Sequence, residues 1–560
     1  MILRTLLLAS LSLATVAAAQ EAPAPAPAAN SVEVNARVNA VLPEAEAAMK
    51  AHVMFLASDA MQGREAGSDS YNVAAQYVAS QYYAAGLRPA GDNGSYLQTV
   101  PLVSYKAADK GAFGWTPKRG EATALTFGED YLPGADPMRA ETTVNAPVVF
   151  VGYGIDAPAF KRNDYAGVDV RGKVVAFFSG APAGLPGEER AHFGNGANKA
   201  VTAQAKGAVG VITLESPSSA KVRPFSRLAD TWDSARMTWA EKDGTGFFAA
   251  PRTPALGTLS MKGAEKLFAG AKTTWASVVA TAENPNAKFR AVELPGRLSV
   301  KLKTETKPVT SYNVAGLLPG SDPKLKDEVV VLTAHLDHVG VGKAKNGDTI
   351  YNGAMDNAVG IASLIEEAKR FKAAGAAPKR SVLFLAVTAE EKGLVGADYF
   401  AHYPTLPKAN LVADVNLDMP IITYKFEDIV AFGADRTTLG KYVKNAAGKL
   451  NLEISPDPMP DQGFFVRSDH YRFVQQGIPS VFVWPGTKGP GKAAFEAFLS
   501  THYHQPSDEV GQTPPIDWSS GVRFIEANYM IAREIADAPE RPRWNKGDFF
   551  GTLYGGLGAK

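Results

Sequence analysis

Val329-Val330-Val331-Leu332-Thr333-Ala334-His335-Leu336-Asp337-His338 is the stretch that decides how this chain folds. An unbroken, β-branched apolar run fits a strand buried on both faces, as in a parallel sheet. It stops abruptly on imidazole and carboxylate. The same grammar recurs downstream. Glu390 and Glu391 follow Ser381-Val382-Leu383-Phe384-Leu385-Ala386-Val387-Thr388-Ala389, and Asp418 follows residues 411–417. Asp356 lies in Asn352-Gly353-Ala354-Met355-Asp356-Asn357, and His504 lies in Thr501-His502-Tyr503-His504-Gln505. Open α/β sheets place ligands at the carboxyl ends of their strands. The spacing therefore predicts metal-binding side chains gathered at one sheet edge.

Working outward, residues 329–333, 381–388, 411–417 and 480–484 read as strands, and 360–373 and 437–450 as helices. Strand alternating with helix predicts an α/β fold, a mainly parallel mixed sheet flanked by helices. Upstream, residues 43–58 read as a helix with Met49, Val53 and Leu56 on one face. A second helix is expected over 71–85, with Val73, Tyr77, Val78 and Tyr82 inward, and a strand over 96–103. The texture changes near residue 140. Short strands (146–152, 173–179, 210–215), one helix (199–206) and frequent Gly and Pro run to about 285 without a metal-type cluster. That stretch is expected to be an inserted, β-rich α+β domain. The expected organisation is a signal peptide (1–19), a Pro/Ala linker and N-terminal segment (20–42), catalytic parts at 43–139 and 286–545 around the insertion at 140–285, and a surface tail at 546–560.

Composition narrows the function. A net charge of +1 over 560 residues gives no general attraction to nucleic acid or to anionic membranes, so neither is an expected partner. The absence of cysteine rules out disulfides, thiolate metal sites, cysteine nucleophiles and a lipid-modified cysteine. Arg4, the apolar stretch 6–16 and Ala17-Ala18-Ala19 before Gln20 read as a cleavable export signal. The apolar stretch falls well short of the roughly 20 residues that span a bilayer. A soluble periplasmic or secreted protein is expected, without membrane insertion.

Imidazole and carboxylate without sulfur suit catalytic zinc, with cobalt or manganese as alternatives. His335 and His504 can each serve one ion, Asp356 can bridge two, and Glu391 and Asp418 can complete opposite sides. Two ions roughly 3.5–4 Å apart would polarise a carbonyl and activate water. Adjacent carboxylates at 390 and 391 point apart on one element, so one can bind metal while the other moves a proton. Asp337 is placed to accept the other N–H of His335. Each piece alone has an ordinary reading: a core histidine, a solvated Glu-Glu pair, a helix cap at Asp356, a turn at Asp418. Their joint occurrence on one α/β framework outweighs those readings.

The segments Ala334-His335-Leu336-Asp337-His338, Asn352-Gly353-Ala354-Met355-Asp356-Asn357-Ala358-Val359-Gly360, Thr388-Ala389-Glu390-Glu391-Lys392-Gly393, Asn416-Leu417-Asp418-Met419 and Tyr503-His504-Gln505-Pro506-Ser507-Asp508 together resemble the di-zinc exopeptidases of peptidase family M28. The resemblance spans roughly residues 45–105 and 298–535, and Leu56-Ala57-Ser58-Asp59-Ala60-Met61-Gln62-Gly63-Arg64-Glu65 is similar to that family's N-terminal segment. Gly152-Tyr153-Gly154 and residues 168–175 and 205–208 are similar to a protease-associated domain. The resemblance implies two zinc ions held by His335, Asp356, Glu391, Asp418 and His504, with Asp356 as bridge. It also implies Glu390 as general base and Asp337 as the residue orienting His335. Charge and spacing alone do not divide the roles of Glu390 and Glu391. Some members carry a tyrosine before a Ser-Asp-His stretch. Phe464-Phe465-Val466-Arg467 stands there in this chain, which leaves the oxyanion donor open between Arg467, Tyr503 and the metal. Ser468-Asp469-His470 is not a serine triad, because adjacent residues cannot form that relay.

The leading expectation is a zinc aminopeptidase acting on peptide or protein N-termini. A carboxypeptidase or dipeptidase of the same fold is the alternative, with Arg467 to hold a substrate carboxylate. A glutaminyl cyclase would bind one zinc, and a binding module would lack the ligand set.

Overall fold

The structure, a computed structural model, describes residues 31–560. The expected signal peptide and the Pro/Ala-rich residues 20–30 lie outside the described residues. Helix α1 (Ser31–Val38) belongs to an N-terminal unit ending at Val41, and Leu42–Lys560 form the other unit.

The larger unit is built on a mixed sheet. Its strands are β1 (Leu97–Ala107), β2 (Val292–Leu318), β3 (Val329–His335), β4 (Ser381–Val387), β5 (Leu411–Asn416), β6 (Asp428–Phe432), β7 (Glu453–Ser455) and β8 (Ser480–Pro485). They lie in the order β1-β2-β4-β3-β5-β8-β6-β7. The central strands β4, β3, β5 and β8 run parallel; β2 and β6 join them antiparallel. Every residue of β3, β4 and β5 is buried, which is why their sequences read as continuous apolar runs.

Side chains alternate across β3. Val330, Leu332 and Ala334 enter one core, and Val329 and Val331 the other. The first core is closed by helices α2 (Glu44–Leu56), α3 (Asp69–Ala84), α4 (Val359–Ala373), α5 (Leu439–Lys449) and α6 (Trp518–Asp537). Met49, Val53 and Leu56 of α2 recur at helical spacing and are all fully buried. Each such side chain contributes about 1.5–3 kcal/mol. The opposite core holds Phe400 and Phe473. Sandwiched this way, the sheet can expose little except its carboxyl edge.

The structure departs from expectation in three places. Val73 is 52% exposed rather than inward, because the buried stripe of α3 runs through Tyr71, Ala75, Val78 and Tyr82. The expected surface tail is anchored: Phe550 and Ala559 join the main core, and just before it Trp544 is buried there too, its Nε1 donating to Gly477 O at 2.8 Å. A second sheet does not coincide with the expected stretch 140–285, since residues 236–239 of that stretch pair with β1 of the main sheet. It takes in Ala112–Pro117, Tyr131–Pro133, Glu141–Phe150, Val174–Phe178, Gly210–Leu214 and Ala255–Leu259. It also takes the first part of β2, whose residues 296–303 pair with the second sheet and 304–318 with the main one. The junction falls in a polar run, Lys303-Thr304-Glu305-Thr306-Lys307, with no turn residue to mark it. Helix Gly187–Gly194 of this second region reaches the main one. Arg190 donates to Asp461 Oδ1 at 2.8 Å, and Arg436 pairs with Glu188, Glu189 and Asp548.

Candidate metal centre and catalytic site

The carboxyl edge of β3, β4 and β5 delivers the candidate residues to one place. His335 is the last residue of β3. Its Nε2 lies 3.1 Å from Asp418 Oδ1 and 3.2 Å from Asp356 Oδ1. Asp356 presents its other oxygen elsewhere, with Oδ2 3.3 Å from His504 Nε2. His504 Nε2 also lies 3.1 Å from Glu391 Oε2. Thus His335, Asp356, Asp418, Glu391 and His504 converge, with Asp356 between two imidazoles. Ligand-capable atoms of His335, Asp356 and Asp418 all fall within 4.8 Å of one another, and so do those of His338, Asp356 and Glu391.

Backbone anchors hold this arrangement. The carboxylate of Asp508 accepts N–H groups from Met355 (2.8 Å) and Asp356 (3.0 Å). Asn357, joined to Asp356 by a cis peptide, donates to Leu417 O at 2.9 Å and accepts from Met419 N at 3.1 Å. That clasp ties the Asp356 segment to the Asp418 segment. Buried Arg64 donates to the carbonyls of Leu56, Leu336, Asn352 and Gly353. It sews the N-terminal segment to the turns after His335 and before Asp356.

Asp337 differs from expectation. The ring Nδ1 of His335 meets the backbone carbonyl of Asp337 at 3.0 Å, not its side chain. The carboxylate instead accepts the backbone N–H groups of Glu390 (3.0 Å) and Glu391 (3.3 Å). Ala389, at φ 55, turns the chain just before them. A residue two positions after His335 can turn its carbonyl back toward the ring while its side chain crosses to the neighbouring strand's loop. Spacing does not distinguish the two.

Sequence reasoning gave no role to three neighbours. Ser468 Oγ donates to Asp418 Oδ2 at 2.5 Å and accepts from Asn416 Nδ2 at 2.7 Å, so it braces a carboxylate and is no nucleophile. Arg64 carried no local signal beyond its motif. His338 is fully buried, with Nδ1 2.7 Å from Glu391 Oε1.

The electrostatics call for positive charge. Burial opposes protonation of His335, yet Asp418, Asp356 and Glu390 raise its pKa well above the ordinary imidazole value. His504 is likewise pushed up to about 11 against burial, by Asp356 and Glu391. Burial pushes Glu390 well above the carboxylate range; Asp418, Glu391 and Asp469 add to this, and His335 opposes it. A cluster that draws protons onto imidazoles and onto Glu390 is one a divalent cation would neutralise. The donor set fits such an ion. Glu391 Oε1 and both ring nitrogens of His338 are buried without a hydrogen-bond partner among the described residues.

Beside these groups lies a cavity of about 290 Å³. His335, Asp356, Glu390 and Asp418 form its polar floor. Met419, Phe464, Phe482, Trp484 and Leu499 form an apolar wall. Tyr503 and Arg467 stand at the same cavity; the Tyr503 ring stacks on His504 at 3.9 Å between centroids, and Arg467 lies over Phe464 at 5.3 Å.

Residues 313–531 match the model of peptidase family M28. The chain is 27% identical over 229 residues to a probable leucine aminopeptidase 2 of Aspergillus oryzae, covering 39% of this chain and 42% of that protein. It is 31% identical over 174 residues to leupeptin-inactivating enzyme 1 of Streptomyces exfoliatus, covering 30% and 35%. A match to carboxypeptidase Q of Rattus norvegicus is 33% identical over 122 residues, covering 21% and 24%. The chain thus spans less than half the length of these curated relatives. Among solved structures, an aminopeptidase from Aneurinibacillus sp. strain AM-1 aligns over 89% of this chain and 95% of its own, at 20% identity and a TM-score of 0.48.

Proposed function

We propose that this chain, an M28 peptidase over residues 313–531, is an exported two-zinc aminopeptidase in which Glu390 is the general base. The observation that carries the reading is the double aspect of Asp356, with one oxygen toward His335 and the other toward His504. His335, Asp356 and Asp418 would hold one ion, and Asp356, Glu391 and His504 the other. Such ions supply Lewis acidity and a nucleophilic water at neutral pH.

The remaining chemistry belongs to the chain. Glu390 borders the cavity, where a carboxylate can accept a proton from water and pass it to the departing amine. Asp337 positions Glu390 and Glu391 through their backbone N–H groups. The acidic floor attracts a substrate's terminal ammonium. The wall of Met419, Phe464, Phe482, Trp484 and Leu499 excludes water and receives a large apolar first side chain. Tyr503 and Arg467 are within the same cavity as donors for a developing oxyanion.

The region built on the second sheet is read as a protease-associated domain. Its helix Gly187–Gly194 grips the segment at Asp461, next to the cavity-lining Gln462, and so braces one cavity wall. Export rests on the leader-like sequence of residues 1–19. Among the described residues, no helix is long and apolar enough to cross a membrane.

One observation favours a second reading. Arg467 at the cavity offers a cation for a substrate carboxylate, as a carboxypeptidase requires. The test is a pair of peptides differing only in N-terminal acetylation. The aminopeptidase reading expects release of the first residue from the free peptide alone, abolished by a chelator. Equal cleavage of both peptides, or activity after complete metal removal, would reject it.

A further inference from the structure

Resting on the two-zinc reading above, we infer that His338 is a fourth protein ligand of the ion held by Asp356, Glu391 and His504. The two metal positions are then unequal. One has three protein donors and an open position. The other has four, so it would be held more tightly.

His338 lies just past β3, where its backbone N–H donates to Arg64 O at 3.3 Å. Its ring is fully buried and stands edge-on to that of His504, with centroids 5.7 Å apart. Nδ1 comes within 2.7 Å of Glu391 Oε1, yet neither atom makes an aligned hydrogen bond, and Nε2 has no partner among the described residues. Buried polar atoms are ordinarily paired. Two donor atoms that crowd together without pointing at each other are suited to share a third partner. Asp356 completes the group, with ligand-capable atoms within 4.8 Å. Two imidazoles and two carboxylates make a donor set suited to zinc. The competing role is that His338 only steadies Glu391 through a hydrogen bond. Such a positioning residue also affects metal affinity, by about 10–100-fold, so affinity alone does not separate the roles.

The experiment loads wild-type protein, His338→Ser and His338→Gln with Co2+ and counts hyperfine-shifted imidazole N–H protons, alongside metal per chain. Wild type is expected to bind two ions and show three such protons, from His335, His338 and His504. Each variant is expected to show two and to release the tighter ion to a chromophoric chelator at least about 10-fold more readily. Two shifted protons in wild type, or an unchanged count in a folded variant, would overturn the assignment while leaving the two-metal site standing. Fewer than two ions in wild type would instead sink the reading on which it rests. The wild-type count decides the matter even if both variants fail to fold.

Discussion

Asp508 accepts the backbone N–H of Asp356 at 3.0 Å. The two-sided placement of Asp356, one oxygen toward His335 and the other toward His504, is therefore held from behind by the Asp508 carboxylate. This links the His504–Asp508 segment to the residue on which both candidate metal positions depend. Asp508→Ala leaves the N–H groups of Met355 and Asp356 without that acceptor. Its zinc affinity is expected to fall by about 10–100-fold, read by competition with a chelator. Unchanged affinity would show that the segment holds Asp356 without help.

Arg64 offers a test of how the N-terminal segment serves the site. Its guanidinium is fully buried against the carbonyls of Leu56, Leu336, Asn352 and Gly353. Arg64→Met removes the donor and leaves buried acceptors unmet, at about 1–3 kcal/mol each. A loss of at least about 3 kcal/mol is expected in urea unfolding. A loss below about 1 kcal/mol would mean that water replaces the side chain.

Acid should loosen the contact between the second region and the main one. Burial pushes His192 down to about 4 from an ordinary 6.5, and its Nδ1 meets Tyr471 OH at 2.8 Å. His470, also buried, is pushed down to about 3. Between about 4 and 6.5 the unfolded chain takes up protons that the folded chain refuses. Stability is thus fully present above pH 6.5 and falls as pH drops toward 4, by about 2–3 kcal/mol for His192. Melting temperature should decline over that window, and His192→Gln should flatten part of the decline. A wild-type melting temperature flat from pH 7 to 4 would contradict the buried neutral ring.

The apolar cavity wall makes a prediction about substrate. Each buried methylene contributes about 0.8 kcal/mol. Peptides beginning with Leu or Phe should therefore exceed those beginning with Ala or Gly by at least about 10-fold in kcat/KM. Narrowing the wall with Leu499→Trp should reduce that ratio. Preference for an acidic first residue would place the side chain elsewhere.

Much of the site was legible because parallel strands buried on both faces leave unbroken apolar runs, and the residue that ends such a run sits at the sheet edge. His335, Glu390, Glu391 and Asp418 were found that way. Other features leave no comparable mark. A backbone carbonyl, as at Asp337, has no sequence signature. The bracing of Asp418 by Ser468 and the four carbonyls gathered by Arg64 join segments far apart in the chain. Strand β2 passes between two sheets without a turn, so Gly and Pro content does not mark where one sheet ends and the other begins. Phe550 and Ala559 lie in a Gly-rich tail, and composition concealed their burial.

The most direct test of the central claim is Glu390→Gln, assayed for zinc per chain and for turnover of a free peptide in the same preparation. Two zinc ions retained with turnover slowed at least about 10²-fold is the expected result, since the variant keeps the ligands and loses only the proton acceptor. Wild-type turnover in that variant, with both ions bound, would contradict the account.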